Sequence, residues 1–472
     1  MKKDSLRHPL IIAFWLLLWQ LTALFIHNPI YFAGPFETVR ELFRQAATDT
    51  FWWSVAGSLF RILTGFLAAF MTACGLAFLS FLFPRFAEFL APVISLFKSV
   101  PVAAVVVILL IWWGSDYLVL CISFMVILPN IYGNLLTGLQ KTDPKLLEMA
   151  EVYRVPLRER FFWIYRPSYI PYLQTALSFS MGMGFKAGIA AEIIGLPGNS
   201  IGRQLYQDKI YLNTPGVFAW IVTILLLTTI TEAILMFLQR RIASFPRPIL
   251  LKVLPSAKPN GNAAESGAIS PVRLTDVKKS YEDREVLYTD ISLEAGEIYH
   301  LRGASGCGKT TLLHILAGLV EADGEKPSGL PPKERIRMVF QEDRVIMQAN
   351  SLRNLCLAGC QGNPAQALKE LLPAETLFEP VSQLSGGEKR RLCVIRAMLS
   401  PCDILLMDEP FTGLDRGSKE KLIRFISANR NGRTLLVVSH DEEDAELLGA
   451  HRLYLKERQI CFTEGEKRET GC

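Results

Sequence analysis

The sequence predicts an all-α membrane domain with six transmembrane helices, followed on the same chain by an α/β domain with a phosphate-binding loop. Three observations predict this fold class. Long apolar runs occupy residues 1–245, residues 271–472 have the mixed charge of a water-soluble protein, and "GASGCGKT" stands between a short apolar strand and a helix. A chain of 472 residues is also too long for one ordinary core, so at least two domains are expected.

The membrane domain is predicted from runs of apolar residues, since roughly 20 of them cross the hydrocarbon layer as a helix. Such runs predict spans at residues 10–26, 55–83, 89–113, 116–138, 171–194 and 216–238. Lys and Arg concentrate in the segments that this order places on the inner side, so the loop before the fifth span and the C-terminal half are expected in the cytosol. The net charge of +5 is explained by these loops and not by nucleic acid binding.

Two positions within the spans indicate a pathway for a solute. Pro101 interrupts the third span, and a broken helix in a membrane is tolerated only against protein or a water-filled cavity, although a simple structural kink explains it equally well. Lys186 places a charge deep in the fifth span, which indicates a substrate pathway or an anionic ligand. Snorkelling or an interhelical hydrogen bond would satisfy Lys186 as well.

The soluble domain begins after a linker at residues 251–270, which is rich in Pro, Gly, Ala, Asn and Ser. Gly303, Gly308, Lys309 and Thr310 match the pattern G-x-x-x-x-G-K-[ST] in its expected place between a strand and a helix. Glycines there let successive amide N–H groups face a phosphate at the positive end of the helix. Because the lysine then reaches the terminal phosphates and the threonine hydroxyl binds Mg²⁺, the pattern predicts a nucleotide site.

Further motifs follow in the same domain. Asp408 and Glu409 end "DILLMDEP", where the first carboxylate can hold Mg²⁺ and the second can act as general base toward water. Gln341 follows the strand in "VFQED", and His440 follows the strand in "VVSHD". "QLSGGEKRRL" offers Ser385 and two glycine amides at the start of a helix, which predicts a second anion site. Each motif alone has an ordinary structural explanation, so the prediction depends on their joint order.

In this order the motifs resemble those of ATP-binding-cassette (ABC) ATPases, and the resemblance spans nearly all of residues 271–472. It implies an α/β P-loop ATPase domain of the ABC type that binds ATP and Mg²⁺. It also implies dimerisation, because each ATP is enclosed by the phosphate loop of one subunit and the signature of the other. The signature ends in Glu388 where glutamine is commonest, and the short connection from Thr311 to Gln341 implies a trimmed antiparallel sheet.

The resemblance also implies a role for each matching residue. Glu409, His440 and Gln341 are the expected catalytic residues, whereas Thr310, Gln341 and Asp408 are expected to bind the metal. The residues expected to contact ATP are Tyr281, Gly303, Ser305, Gly306, Cys307, Gly308, Lys309, Thr310, Thr311, Ser385, Gly386, Gly387 and Asp415.

The stretch "EMAEVYRVPLRERFFWIYRP" resembles the cytosolic loop through which importer permeases contact their ATPase. Glu148, Ala150, Ile164 and Pro167 match that loop, whereas Arg154 stands where glycine usually bends the chain, which leaves the loop's conformation open. The alternative is an interfacial loop whose basic residues only fix topology. Other stretches, such as "SVPVAAVVVILLIWWG" and "AAEIIG", resemble permeases of the nitrate, sulfonate and taurine class, which includes carriers of pyrimidine precursors.

The combination predicts a fused half-transporter with a permease domain at 1–250, a coupling loop at 141–168, the linker, and the ATPase at 271–472. We expect a homodimer in the cytoplasmic membrane, with its ATPase in the cytosol. It would import a small anion or organic molecule that an extracytoplasmic binding protein delivers. An ABC exporter and a membrane-anchored regulatory ATPase are the alternatives, and the short inner loops disfavour the exporter. The sequence identifies neither the solute nor whether the second half is an identical copy or a paralogue.

Overall fold

The computed structural model describes residues 7–28, 30–244, 271–281, 284–323, 330–456 and 459–462, and the linker predicted at 251–270 lies outside them. The chain forms two compact units. The membrane unit takes the chain up to Thr142 and resumes at Ser168. The ATPase unit takes Asp143–Pro167, here named the docking segment, together with the chain from Val253 onward. Sequence reasoning places that segment in the membrane domain, whereas the contacts of its side chains group it with the ATPase unit.

The N-terminal half is helical in its described part, and a π-helical turn at Phe161–Tyr165 joins its seventh helix to its eighth. Two short helices, α6 and α7, lie in the docking segment. The helices are α1 (Arg7–Ile26), α2 (Pro35–Ala46), α3 (Asp49–Leu82), α4 (Pro84–Ser99), α5 (Val102–Gln140), α6 (Pro144–Val152), α7 (Leu157–Arg160), α8 (Arg166–Gly195), α9 (Ile201–Ile210) and α10 (Thr214–Ser244).

The described residues contain four helices that are long and apolar enough to cross a membrane, together with a shorter apolar helix at Leu10–Ile26. The four are Asp49–Leu82, Val102–Gln140, Leu157–Gly195 and Thr214–Arg241.

This count is lower than the six spans expected from the sequence, because the first expected span is the shorter helix Leu10–Ile26 and parts of the third and fourth lie together in α5. The expected third span is divided between α4 and α5 at Val100–Pro101, because proline lacks the amide that would continue the helix. A second break follows at Gly114, whose φ of 71° and ψ of −173° are not helical, and it lies between the third and fourth spans expected from the sequence.

Helices α3 and α5 pack closely because small residues on α3 remove side-chain bulk. A Cβ atom on Gly65 would lie only 2.8 Å from the carbonyl oxygen of Leu120 on α5. Ala69 and Ala73 continue the same face at four-residue spacing and are fully buried. Close backbone approach of this kind is how small residues hold helices together in a membrane.

The ATPase unit contains an antiparallel pair and a six-stranded sheet in its described part. The pair is β1 (Val272–Tyr281) with β2 (Arg284–Leu293). The larger sheet has the order β4-β5-β6-β3-β7-β8, with all neighbours parallel except β7 and β8. Its strands are β3 (Ile298–Gly303), β4 (Ile336–Val339), β5 (Ile404–Asp408), β6 (Thr434–Val438), β7 (His451–Lys456) and β8 (Gln459–Phe462).

The central strands are almost continuously apolar because helices shield the parallel sheet from water. Every residue of β5 ("ILLMD") and β6 ("TLLVV") is buried. Besides α6 and α7, the α-helices in the described part of this unit are α11 (Lys309–Leu316), α12 (Ser351–Leu357), α13 (Pro364–Leu371), α14 (Gly386–Leu399), α15 (Arg416–Ala428) and α16 (Glu443–Leu448).

Candidate functional site

The sheet order brings the predicted nucleotide residues to one edge. Strands β4, β5, β6 and β3 are consecutive neighbours and run in the same direction, so their carboxyl ends lie side by side. Gln341 follows β4, Asp408 ends β5 and Glu409 comes directly after it, His440 follows β6, and the phosphate loop follows β3. Ligands bind at this edge of open parallel sheets.

The phosphate loop depends on two glycines with left-handed backbone. Gly306 has a φ of 79° and Gly308 a φ of 100°, and a Cβ on Gly308 would lie 2.8 Å from the carbonyl oxygen of Val286. The Lys309 Nζ atom donates to the carbonyl oxygens of Gly303 at 2.8 Å and of Ala304 at 2.9 Å. The ammonium therefore lies across the loop, where a phosphate would compete for it.

Thr310 and Asp408 form the part of the site that suits a metal. The Thr310 Oγ1 atom donates to Asp408 Oδ2 at 2.8 Å, and burial raises the pKa of the Asp408 carboxyl above its usual value. In the described part of the chain, no cluster of three or more His, Cys, Asp or Glu residues could hold a metal alone. A hydroxyl beside one carboxylate fits Mg²⁺, which usually takes few protein ligands and completes its shell with water and phosphate. The Gln341 side chain is exposed, while its carbonyl oxygen accepts from Arg390.

Glu409 combines an unusual backbone conformation with a carboxylate oxygen that is available to a ligand. Its φ of 50° is left-handed, which is uncommon for a residue with a side chain and is found disproportionately at active sites. The Oε1 atom is buried and accepts no hydrogen bond from the described residues, although His440 Nε2 lies 3.4 Å away. Burial raises the pKa of Glu409, and the charge of His440 opposes that shift. A carboxylate held this way has a lone pair available for a water proton.

The signature begins helix α14 through a capping box. The Ser385 Oγ atom accepts from the Glu388 amide at 3.4 Å and donates to Glu388 Oε2 at 2.7 Å, and these bonds hold the pKa of Glu388 below its usual value. A Cβ on Gly387 would lie 3.3 Å from Leu414, so the signature lies beside the loop that carries Asp415. Asp415 caps α15 by accepting from the Ser418 amide at 3.1 Å.

The remaining predicted contacts of ATP are placed by the fold. Ser305 and Cys307 lie inside the phosphate loop, Thr311 lies in the first turn of α11, and Gly386 begins α14. Tyr281 ends β1, and its side chain lies outside the described residues.

The docking segment is anchored in the ATPase core by buried side chains. Met149, Ala150, Tyr153 and Ile164 are each at most 2% exposed and belong to the same hydrophobic cluster as residues of β3 and β4. The Tyr153 hydroxyl donates to the carbonyl oxygen of Met338 on β4 at 2.9 Å, and burial raises its pKa to about 12. Pro167, also predicted for this loop, is the second residue of α8 and is partly buried.

Tyr153 also contacts the helix that carries the signature. The guanidinium carbon of Arg396, on α14, lies 4.4 Å from the centre of the Tyr153 ring, in the range of a cation–π interaction. Arg396 is fully buried and donates to the carbonyl oxygen of Arg344 at 2.8 Å. The same helix carries Arg390, which donates to the carbonyl oxygen of Phe340, next to Gln341, at 2.7 Å. One helix therefore connects the signature, the Gln341 loop and the docking segment.

Ion pairs surround these buried anchors. Each joins a residue of the docking segment to one that lies far away in the sequence. The pairs are Lys145 with Glu342, Glu148 with Arg344, Arg154 with Glu334, and Glu159 with Arg353.

Arg154 resolves the conformation that the sequence left open. Its φ of 54° is left-handed, so the chain bends here as it would at glycine, even though an L residue carries a steric cost in that region. The Arg160 Nη2 atom and the Val155 amide donate to the Ala150 carbonyl oxygen, each at 2.9 Å, and fix the bend.

Sequence reasoning missed Arg344, Arg353, Arg396 and Glu334. A signal was present, because acidic and basic residues of the docking segment need partners of opposite charge, but nothing local indicated which residues supply them.

Two charged residues of the membrane unit, Lys186 and Glu192, differ in their surroundings. Lys186 lies on α8 with an exposed side chain, and Pro101 precedes the first residue of α5. Glu192 is fully buried and accepts from Ser58 Oγ at 2.7 Å, from the Gly202 amide at 3.1 Å and from Arg61 Nη2 at 3.3 Å. Glu192 therefore ties α3, α8 and α9 together.

The ATPase unit has a phosphate loop, strand-ending carboxylates and a capped signature helix, which define a P-loop nucleotide hydrolase. The family model described as "ABC transporter" matches residues 288–412, and the model described as "Binding-protein-dependent transport system inner membrane component" matches residues 62–244.

Known relatives and solved structures resemble part of this chain. An aliphatic sulfonates import ATP-binding protein, SsuB 1, of Streptomyces avermitilis is 35% identical over 207 residues, which cover 42% of this chain and 78% of that protein. The Nod factor export ATP-binding protein I of Burkholderia pseudomallei is 33% identical over 230 residues, covering 43% of this chain and 75% of that protein. A dimeric post-hydrolysis ATP-binding cassette bound to ADP and Pi is 26% identical, with a TM-score of 0.37, and the match covers 41% of this chain and 100% of that one.

The chain belongs to the ABC transporter family and carries an importer-type permease and an ABC ATPase together. It is an inner-membrane protein whose ATPase unit lies in the cytosol.

Proposed function

We propose that this chain drives ATP-dependent import of a small organic anion, as a homodimer supplied by an extracytoplasmic binding protein. The observation that carries the proposal is the joining of a binding-protein-dependent permease and an ABC ATPase on one chain. Among the similar proteins are aliphatic sulfonate import ATPases, which supports an anionic solute. A Nod factor export ATPase is similar as well, so the direction of transport is supported by the permease match and not by the ATPase.

The proposed chemistry is hydrolysis of ATP at the sheet edge. Lys309 would exchange the carbonyl oxygens of Gly303 and Ala304 for phosphate oxygens. Thr310 and Asp408 would hold Mg²⁺, assisted by Gln341, and the metal would neutralise phosphate charge. Glu409 would accept the proton of the attacking water, with His440 holding the carboxylate in place.

Homodimerisation is proposed because the ABC resemblance requires a signature opposite each phosphate loop. In that arrangement Ser385, Gly386 and Gly387 of one copy complete the ATP site of the other. Asp415, whose loop lies beside Gly387, would contribute from the same edge.

We propose that the docking segment transmits the closure of the ATPase dimer to the membrane helices α5 and α8. It is continuous with α5 before it and α8 after it, and its anchors contact the signature helix through Arg396. Closure of the ATPase dimer would move that helix and, through Tyr153, the segment. Interfaces of packed elements convert small shifts into rigid-body movement in this way.

The test is reconstitution of the full chain in proteoliposomes with the binding protein encoded beside it. We expect ATP hydrolysis to rise when the loaded binding protein is added, together with uptake of an alkanesulfonate such as 1-pentanesulfonate. Stimulation by hydrophobic drugs or lipids alone would favour an exporter instead. Hydrolysis that neither the binding protein nor any solute changes would favour a regulatory ATPase.

A further inference from the structure

A cavity of about 490 Å³ lies within the membrane unit, beside the break between α4 and α5. Residues of α4, α5 and α8 line it. The apolar part of the lining includes Phe97, Val126, Phe179 and Met183, and the polar part is Lys98, Asn130, Asn134 and Thr137.

Lys98 is the cation of this lining, and its side chain is exposed in the last turn of α4. Its Nζ atom lies 4.0 Å from the position that a Cβ on Gly133 would take, so the ammonium faces a part of α5 that carries no side chain. No described residue forms an ion pair or a hydrogen bond with the Lys98 side chain. A cation in a membrane unit is costly unless water or a counter-charge meets it.

The other polar groups are already held by neighbours. Asn130 Nδ2 donates to Ser180 Oγ at 2.6 Å, and Asn134 Nδ2 donates to the Asn130 carbonyl oxygen at 2.9 Å. Thr137 Oγ1 donates to the carbonyl oxygen of Gly133 at 2.8 Å. The cavity therefore presents one cation for a ligand among polar groups that are fixed in place.

The size of the cavity and its apolar walls further restrict the class of ligand that it can bind. Cavities that bind small organic molecules span roughly 300–1,000 Å³ and combine apolar walls with a few polar groups. A small inorganic ion would gain nothing from Phe97, Val126 or Met183 when it gave up its water. An acidic head on a short apolar body uses both kinds of surface.

We propose that this cavity is the binding site for the transported solute inside the membrane, and that Lys98 selects an organic anion by pairing with its acidic head. The inference rests on the proposed import function and adds the site at which the solute would be held. Lys186, the lysine singled out from the sequence, does not line this cavity.

The test is calorimetric titration of the full chain in lipid nanodiscs with 1-pentanesulfonate and with uncharged 1-pentanesulfonamide. Charged hydrogen bonds are strong enough that wild type should prefer the sulfonate by about tenfold or more. Lys98→Gln should lose that preference, and Lys98→Arg should keep it. The control Arg85→Gln removes an exposed cation from the first turn of the same helix and should leave the preference unchanged. Basal ATP hydrolysis by each variant checks that it is folded.

A second variant tests shape independently of charge. Gly133→Leu places a side chain toward the Lys98 ammonium, so we expect it to weaken the binding of both ligands alike. Equal affinity of the wild type for the two ligands, or a sulfonate preference that survives in Lys98→Gln, would overturn the inference.

The import proposal is judged separately, by ATP-driven uptake. If the chain imports the solute but binds the sulfonate and the sulfonamide equally well, the proposed site is refuted and the import function stands. If the chain prefers the sulfonate but shows no ATP-driven uptake, the site stands and the import function is refuted.

Discussion

The nucleotide site and the docking segment belong to the same compact unit, but the charged side chains of the two regions differ in their bonding partners. In the nucleotide site Glu409 keeps a buried carboxylate oxygen without a hydrogen bond from the described residues, and Lys309 lies on the carbonyls of its own loop. In the docking segment, by contrast, Glu148 and Glu159 are paired with arginines of the ATPase. The nucleotide site thus keeps a carboxylate oxygen available to a ligand, whereas the carboxylates of the docking segment are paired.

The two regions also differ in the size of the effect that a substitution should have on reaction rate or stability. A group that acts only in the transition state contributes orders of magnitude in rate, whereas an exposed ion pair contributes little to stability. The buried Tyr153–Arg396 contact lies between these limits, because truncating it would leave Arg396 buried without its ring partner. The following changes separate these contributions.

The largest effect is expected from Glu409→Gln. An amide cannot accept the proton of the attacking water, so steady-state hydrolysis should fall by about 10²- to 10⁴-fold while ATP binding persists. ATP should also trap the variant as a closed dimer, which size-exclusion chromatography detects. Glu443→Gln changes an exposed carboxylate on α16 and serves as the control. Undiminished hydrolysis by Glu409→Gln would remove this residue from the role of general base.

Alkylation of Cys307 should be the next largest effect. Its Sγ atom lies 3.9 Å from Lys309 Nζ and 2.7 Å from the position of a Cβ on Gly303, so an added group would obstruct the phosphate loop. We expect N-ethylmaleimide to remove most of the ATP hydrolysis and ATP to protect against it. Cys307→Ser should hydrolyse ATP and resist the reagent. If the serine variant is inactivated equally, another of the cysteines is the target.

The pH dependence of hydrolysis should report on Glu409. The pKa of this carboxyl is raised above the ordinary 4.5 by burial, and the base works only when it is deprotonated. Hydrolysis should therefore fall as the pH is lowered through that raised pKa. Because the charge of His440 lowers the pKa of Glu409, His440→Ala should move the acidic limb to higher pH. A limb that stays in place in this variant would assign it to another group.

The smallest effect is expected at Arg154, where two variants separate strain from charge. Both Arg154→Gly and Arg154→Ala remove the exposed ion pair with Glu334, but only glycine relieves the left-handed φ of 54°. The glycine variant should therefore be the more stable of the two, by about 1 kcal/mol. Thermal denaturation measures the order. An alanine variant that melts at or above the temperature of the glycine variant would show that the bend carries no strain.

The nucleotide site could be predicted from the sequence because each of its parts is a short motif at the end of a strand. A phosphate loop between "EIYHL" and "TTLLHILAGL" needs only local geometry, and parallel strands bring the remaining motifs to one edge. Asp408, Glu409, His440 and Gln341 all lie at that edge. Their roles in hydrolysis remain predictions.

The docking segment could be predicted only in part, because its partners are distant in the sequence. Glu148 and Ala150 were recognisable, but Arg344 and Arg396 become visible only when the chain is folded. The break at Pro101 followed from proline chemistry, and the kink at Gly114 lies between the third and fourth spans expected from the sequence. Lys98 could not be singled out in the same way, since one lysine in a sequence gives no sign of the cavity that it lines.

The central claim, that ATP hydrolysis drives import through Tyr153, is tested most directly by counting solute molecules imported per ATP hydrolysed in the same proteoliposomes. Tyr153→Ala removes both the hydrogen bond to Met338 and the ring beneath Arg396, whereas Tyr153→Phe keeps the ring. Leu157→Ala, in the same segment but 80% exposed, is the control.

We predict that Tyr153→Ala retains ATP hydrolysis and loses uptake, so that the ratio collapses, while Tyr153→Phe lies between it and the wild type. Leu157→Ala should keep the ratio of the wild type. Uptake and hydrolysis that fall in proportion in Tyr153→Ala, with the ratio unchanged, would contradict the account.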